Sequence, residues 1–94
     1  MEINIPKTFK LFGLTFKVTQ PWKVDKNDNW GECSIAKKSL KVKRSLNKEQ
    51  KEITYLHELT HAILDTLEYN DLSHDEDFVE RFSKALHQAL TTSE

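Results

Sequence analysis

The chain has one cysteine in 94 residues, Cys33, so no internal disulfide can form. A lone thiol suits a reducing compartment. No apolar run is long enough to span a membrane, and no apolar signal core stands near the start. Together these absences predict a soluble, cytoplasmic protein. Repeats, low-complexity tracts and linkers are also missing, so residues 1–94 read as a single domain. Neither charge sign dominates, with a formal net charge of −1. The halves differ, however: residues 1–50 carry eleven Lys/Arg against five Asp/Glu, and residues 51–94 carry three against ten. That asymmetry fits a basic sheet surface beside an acidic helical pair. With 37% hydrophobic residues the core is modest, and a bound metal would add stability to so small a domain.

The β-prone residues lie in the first half. Thr8 to Leu11 and Thr15 to Val18 read as strands around a Phe12-Gly13 turn, and Pro21 closes the second. Asp25 to Asn29 is polar and turn-rich. Glu32 to Ile35 and Ser39 to Lys43 read as a second hairpin around Ala36-Lys37-Lys38, with Leu40 and Val42 alternating against polar neighbours. The second half has helical periodicity. A first helix is expected from Asn47 or Lys48 to about Leu67, capped by Ser45 or Asn47, with Ile53, Leu56, Leu59, Ile63 and Leu67 buried. A polar break at Tyr69 to Ser73 precedes a second helix to about Leu90, with Phe78, Val79, Phe82, Leu86 and Leu90 as its core stripe. Ser73-His74-Asp75-Glu76 fits a capping box at its start. The expected fold class is α+β: a small antiparallel sheet of three or four strands (residues 1–45) packed on two helices (residues 46–94).

Within the first helix stands His57-Glu58-Leu59-Thr60-His61, an H-E-x-x-H sequence. Residues i and i+4 share a helix face, so the two imidazoles can grip one zinc ion from one side. Glu58, turned about 100° from His57, is placed to act on a water beside the metal as general base. Catalytic zinc takes a third protein ligand. The candidates are His74, Asp75, Glu76, Asp77, Glu80 and His87. Glu76 and Glu80 share a face of the second helix, and antiparallel packing brings them toward the histidines, whereas His87 lies roughly 16 Å beyond Glu76. Glu76 has an alternative reading as part of the helix cap. Asp65, at i+4 from His61, could orient an imidazole. Tyr55 and Tyr69 could donate to an oxyanion.

The stretch His57-Glu58-Leu59-Thr60-His61-Ala62-Ile63, followed by a short acidic helix, resembles a gluzincin metallopeptidase. More narrowly, it is similar to small phage- and prophage-encoded proteins with an ImmA/IrrE- or SprT-like zinc-peptidase core. The similarity runs over roughly residues 30–90 and takes in Trp30-Gly31 and the strand Leu40 to Lys43. It implies a minimal zincin-like core, one Zn2+ ion and peptide-bond hydrolysis by a zinc-bound water that Glu58 activates. In that group the third ligand sits in a Glu-x-x-Ala-(Asp/Asn) frame. Glu76-Asp77-Phe78-Val79-Glu80 matches it, with Val79 for alanine and Glu80 for the last residue. The resemblance therefore gives the metal to Glu76 and the support of a histidine to Glu80, with their exchange left open. It also implies an edge strand that pairs with extended substrate. Ser39, Leu40, Lys41, Val42 and Lys43 are the expected strand, with lysines favouring acidic substrates. Two other readings stand beside it. One is a zinc-binding, weakly active or inactive phage-type protein that binds a host protein. The other is a nucleic-acid binder using Lys37, Lys38, Lys41, Lys43 and Arg44, a cluster that lacks interleaved aromatics.

Overall fold

A computed structural model describes residues 3–93. Four strands come first: β1 (Thr8–Leu11), β2 (Leu14–Thr19), β3 (Gly31–Ser34) and β4 (Ser39–Val42). Three helices follow: α1 (Lys48–Thr66), α2 (Asn70–Ser73) and α3 (Glu76–Thr91). The α+β class and the packing of a small sheet on helices are as expected. The sheet is mixed, though, with strand order β1-β2-β4-β3. β1–β2 and β3–β4 pair antiparallel, while β2 and β4 run parallel, Val18 opposite Leu40. The segment between β2 and β3 carries the chain past β4's place in the sheet, so β3 becomes an edge strand and β4 an interior one.

Both hairpins close as their turn residues dictate. Phe12 (φ 50°) and Gly13 (φ 79°) supply the two left-handed residues of a two-residue loop that matches the strand twist. One sheet face is covered by α1. Phe16, Val18, Leu40 and Val42 meet Tyr55, Leu56 and Ala62 there, and Phe9 stacks on Phe16 with ring centroids 5.1 Å apart. The opposite face carries Lys10, Lys17 and Lys41, the alternation of half-buried strands.

α1 begins in a capping box: Asn47 Oδ1 accepts from Gln50 N and Gln50 Oε1 from Asn47 N. The expected stripe of α1 is only partly buried. Leu56 is in the core, but Ile63 and Leu67 are exposed, because α1 is held by the sheet on one side and α3 on another. On α3 burial falls on Val79 and Ser83, while Phe82 lies 45% exposed, stacked on Phe78. The expected polar break at Tyr69 to Ser73 instead contains the single helical turn α2, and the second long helix starts later than expected: Asp75, not Ser73, caps α3 by accepting from Phe78 N. Among the described residues no helix is long and apolar enough to cross a membrane.

One buried side-chain contact ties α1 to α3. Glu52 is 5% exposed, and its Oε1 lies 2.8 Å from His87 Nε2. That bond first, and Lys48 less, hold the Glu52 carboxyl below its ordinary value of 4.5 against the opposing effect of burial. A depressed folded value means that Glu52 contributes stability complete above about pH 4.5 and lost as pH falls through the depressed value. His87→Ala strands the buried carboxylate and is expected to cost about 3 kcal/mol at pH 7. In urea denaturation the deficit should shrink as pH falls through the depressed value and Glu52 takes up its proton in the wild type as well; a deficit independent of pH would contradict this.

Candidate metal centre

His57 and His61 project from one face of α1, ring centroids 5.0 Å apart. Asp75 caps α3 and starts it at Glu76, whose carboxylate reaches back to both rings. Glu76 Oε2 lies 3.4 Å from His57 Nε2, and Oε1 lies 3.4 Å from His61 Nε2. These three residues offer ligand atoms within 4.8 Å of one another, a group that could hold a metal ion, and no other such group is found among the described residues. The donor set suits a borderline cation: two imidazoles and one carboxylate. Tetrahedral bonds of about 2.1 Å put neighbouring ligand atoms about 3.4 Å apart, which is the separation of each histidine Nε2 from the Glu76 oxygen that faces it.

The other ring nitrogens are engaged as well. Glu80 Oε2 lies 3.2 Å from His57 Nδ1, and Lys84 holds Glu80 Oε1 at 2.9 Å. The Lys84 hydrogen bond is the main reason the Glu80 carboxyl lies below its ordinary range. Ser73 Oγ lies 3.0 Å from His61 Nδ1. Burial lowers the His61 pKa, against the opposing pull of Glu76. The two glutamates of α3 thus face different nitrogens. With Asp75 as cap, the capping-box reading of Ser73 and Glu76 is overturned.

Glu58 stands beside the histidines but outside the ligand group. Its carboxyl is pushed up to about 7, first by burial, then by Glu76 and Glu32. Gly31 makes this possible. A Cβ at Gly31 would lie 2.7 Å from Thr54 Cγ2, 2.9 Å from Glu58 Cγ and 3.0 Å from Glu58 Oε2, so only glycine lets β3 approach the helix here. A cleft of about 830 Å3 opens beside these groups. Trp30, Ile53 and Thr54 line it with His57, Glu58 and His61, and Glu49 and Lys84 add charge.

Several expectations need correction. Ser39, Leu40, Lys41, Val42 and Lys43 cannot offer an open edge, because β4 is paired on both sides. Lys41 points to the face away from α1, and Lys43 is paired with Asp28, so their assigned preference for acidic substrates loses its basis. The edge strands are β1 and β3, and it is β3 that starts beside the cleft. Trp30 O accepts from Lys43 N, and antiparallel alternation then turns the N–H and C=O of Gly31 and Cys33 outward. Asp65 makes no hydrogen bond to His61; Ser73 occupies that nitrogen. Tyr55 is buried against Phe9, Tyr69 is exposed on the α1–α2 connection, and neither lines the cleft. His74 is exposed, and His87 belongs to Glu52. Burial pushes the Cys33 thiol up to about 12, which keeps it protonated. Of the basic cluster, Arg44 is drawn off to Gln20 O and the Trp22 ring. Sequence reasoning missed Ser73 as a histidine partner, and Gln50, Ile53 and Lys84 as cleft residues.

No family model, no curated protein and no solved structure matches the chain.

Proposed function

We propose that this protein is a zinc-dependent metallopeptidase, a hydrolase of peptide bonds. The observation that carries the reading is the convergence of His57, His61 and Glu76, with ligand atoms within 4.8 Å of one another, and of Glu58 beside them in the wall of a cleft. Zinc, when bound, supplies a Lewis acid that polarises a carbonyl and acidifies a water. The protein does the rest. Glu58 accepts the proton of the attacking water and delivers it to the amine that leaves. The water oxygen bonds to the carbonyl carbon as the C–N bond breaks. Glu80 holds the Nδ1 proton of His57 and so keeps Nε2 bare. The outward N–H and C=O groups of Gly31 and Cys33 can pair with an extended peptide laid along β3.

The test uses zinc-loaded protein against unfolded proteins and peptide mixtures, read by mass spectrometry. Cleavage should appear, stop with a chelator and return with zinc. Stoichiometric zinc without cleavage of any substrate would sink the peptidase reading and favour a zinc-binding protein that captures a partner.

Gly31→Ala tests the placement of the base. Thr54 is β-branched and stiff on its helix, so the new methyl must displace it or Glu58. The substitution is expected to cost about 1–3 kcal/mol and to depress turnover. Adding Thr54→Ala removes the 2.7 Å conflict but not the one with Glu58. The double variant should regain stability in urea denaturation without regaining turnover; recovery of both would place the whole conflict at Thr54.

A further inference from the structure

α2 is a single turn between two long helices, yet it contains one of the most deeply buried residues of the molecule. Ser73 is 1% exposed. A hydroxyl removed from water needs a partner. The Ser73 amide is committed to Tyr69 O at 3.0 Å, which fixes the backbone of the turn. Its Oγ is committed to His61 Nδ1, also at 3.0 Å. Ser73 thus joins the α1–α3 connection to the histidine pair.

A neutral imidazole carries one proton, and only the nitrogen without it can bind a metal. Two groups compete over His61. Ser73 Oγ faces Nδ1 at 3.0 Å, within the ordinary range for a hydrogen bond. Glu76 Oε1 faces Nε2 at 3.4 Å, beyond that range and close to the edge of a zinc tetrahedron. A hydroxyl can accept or donate, so the contact is compatible with either tautomer; the one that leaves Nε2 bare beside Glu76 has Nδ1–H donating to Ser73 Oγ. On His57 the same office falls to Glu80, a carboxylate. The two histidines are thus supported unequally, one by an anion and one by a neutral hydroxyl.

We infer that Ser73 is a positioning residue: by accepting the Nδ1 proton of His61 it fixes the tautomer and ring orientation that leave Nε2 free for a metal. The inference rests on the metal-centre reading and adds to it a specific partner on α2.

The test has a metal-free and a metal-bound arm. In the chelator-treated full-length protein at neutral pH, 15N spectra of the histidine rings report the tautomer. His61 should be protonated at Nδ1 in the wild type and in Ser73→Thr, which keeps the hydroxyl. In Ser73→Ala it should shift to a mixture with Nε2–H. Chelator competition for Zn2+ should show Ser73→Ala weakened about 10- to 100-fold, with Ser73→Thr near the wild type. Wild-type His61 protonated at Nε2, before any substitution, would overturn the inference. So would a Ser73→Ala protein that loses thermal stability while the His61 spectrum and zinc affinity stay unchanged, since that is what a purely structural serine predicts. If the wild type binds no zinc, the metal-centre reading fails by itself, and the metal-free spectrum still decides the role of Ser73.

Discussion

Glu58→Gln is expected to leave zinc bound and to lower peptide hydrolysis by about 10²- to 10⁴-fold, the range that general acid–base catalysis supplies. Glu58 lies outside the group of His57, His61 and Glu76, so its charge is not needed to hold the ion. Glutamine keeps the shape that fits against Gly31 but cannot accept a proton. Zinc content measured beside turnover separates the outcomes: full zinc with undiminished turnover would refute the general-base role. A second effect follows in the metal-free protein. Burial raises the Glu58 carboxyl from its ordinary 4.5 to about 7. Between those values the folded chain holds the proton more tightly than the unfolded chain. Stability therefore falls as pH rises from 4.5 to 7 and levels off above. A shift of that size corresponds to at most about 3 kcal/mol, and contact with solvent reduces it. Metal-free Glu58→Gln should thus exceed the wild type by about 2 kcal/mol at pH 8 and equal it near pH 4, as read by urea denaturation.

What the sequence revealed was mostly local. His57, Glu58 and His61 were legible because helical geometry alone puts i and i+4 on one face. The hairpins were legible because Phe12-Gly13 and the turn before Ser39 are short-range features. How the hairpins join was not. The parallel pairing of β2 with β4 depends on the path of the segment between them, and it decides that β3, not β4, is an edge strand. The alternation of Leu40 and Val42 describes a strand with one buried face and is silent about its edges. The capping signal at Ser73 misleads for a related reason: it is a local pattern, and Asp75, two residues later, caps α3 with its side chain alone, without a box. The contact of Ser73 with His61 crosses the α1–α2 connection, and no periodicity records that. Ile63 and Leu67 were overcalled as core because a single apolar stripe assumes one packing partner, whereas α1 has two.

Glu76→Ala and Glu80→Ala should separate sharply in zinc affinity, although the two glutamates are one helical turn apart. Glu76 places an oxygen 3.4 Å from each Nε2, where ligand atoms of a shared ion would stand. Its removal leaves two imidazoles, too few for a tight zinc site, and the loss should be on the order of 10³-fold or more. Glu80 meets His57 at Nδ1, the nitrogen that would not ligate an ion shared with His61 and Glu76, and Lys84 anchors its other oxygen. Removing it frees the His57 ring and its tautomer, and about a 10- to 100-fold loss is expected. Glu80→Gln, which keeps an amide oxygen to accept the Nδ1 proton, should lose less than Glu80→Ala. The converse substitution at the metal, Glu76→Gln, should remain severe, because a neutral amide replaces the one anionic ligand. Chelator competition on the four variants reads the order directly. If Glu76→Ala retains full affinity while Glu80→Ala loses it, the ligand is Glu80 and the Nδ1 contact belongs to a rearranged His57. Equal, small losses from both would mean that the histidine pair holds its ion without α3, and the convergence of the two helices would then need another explanation.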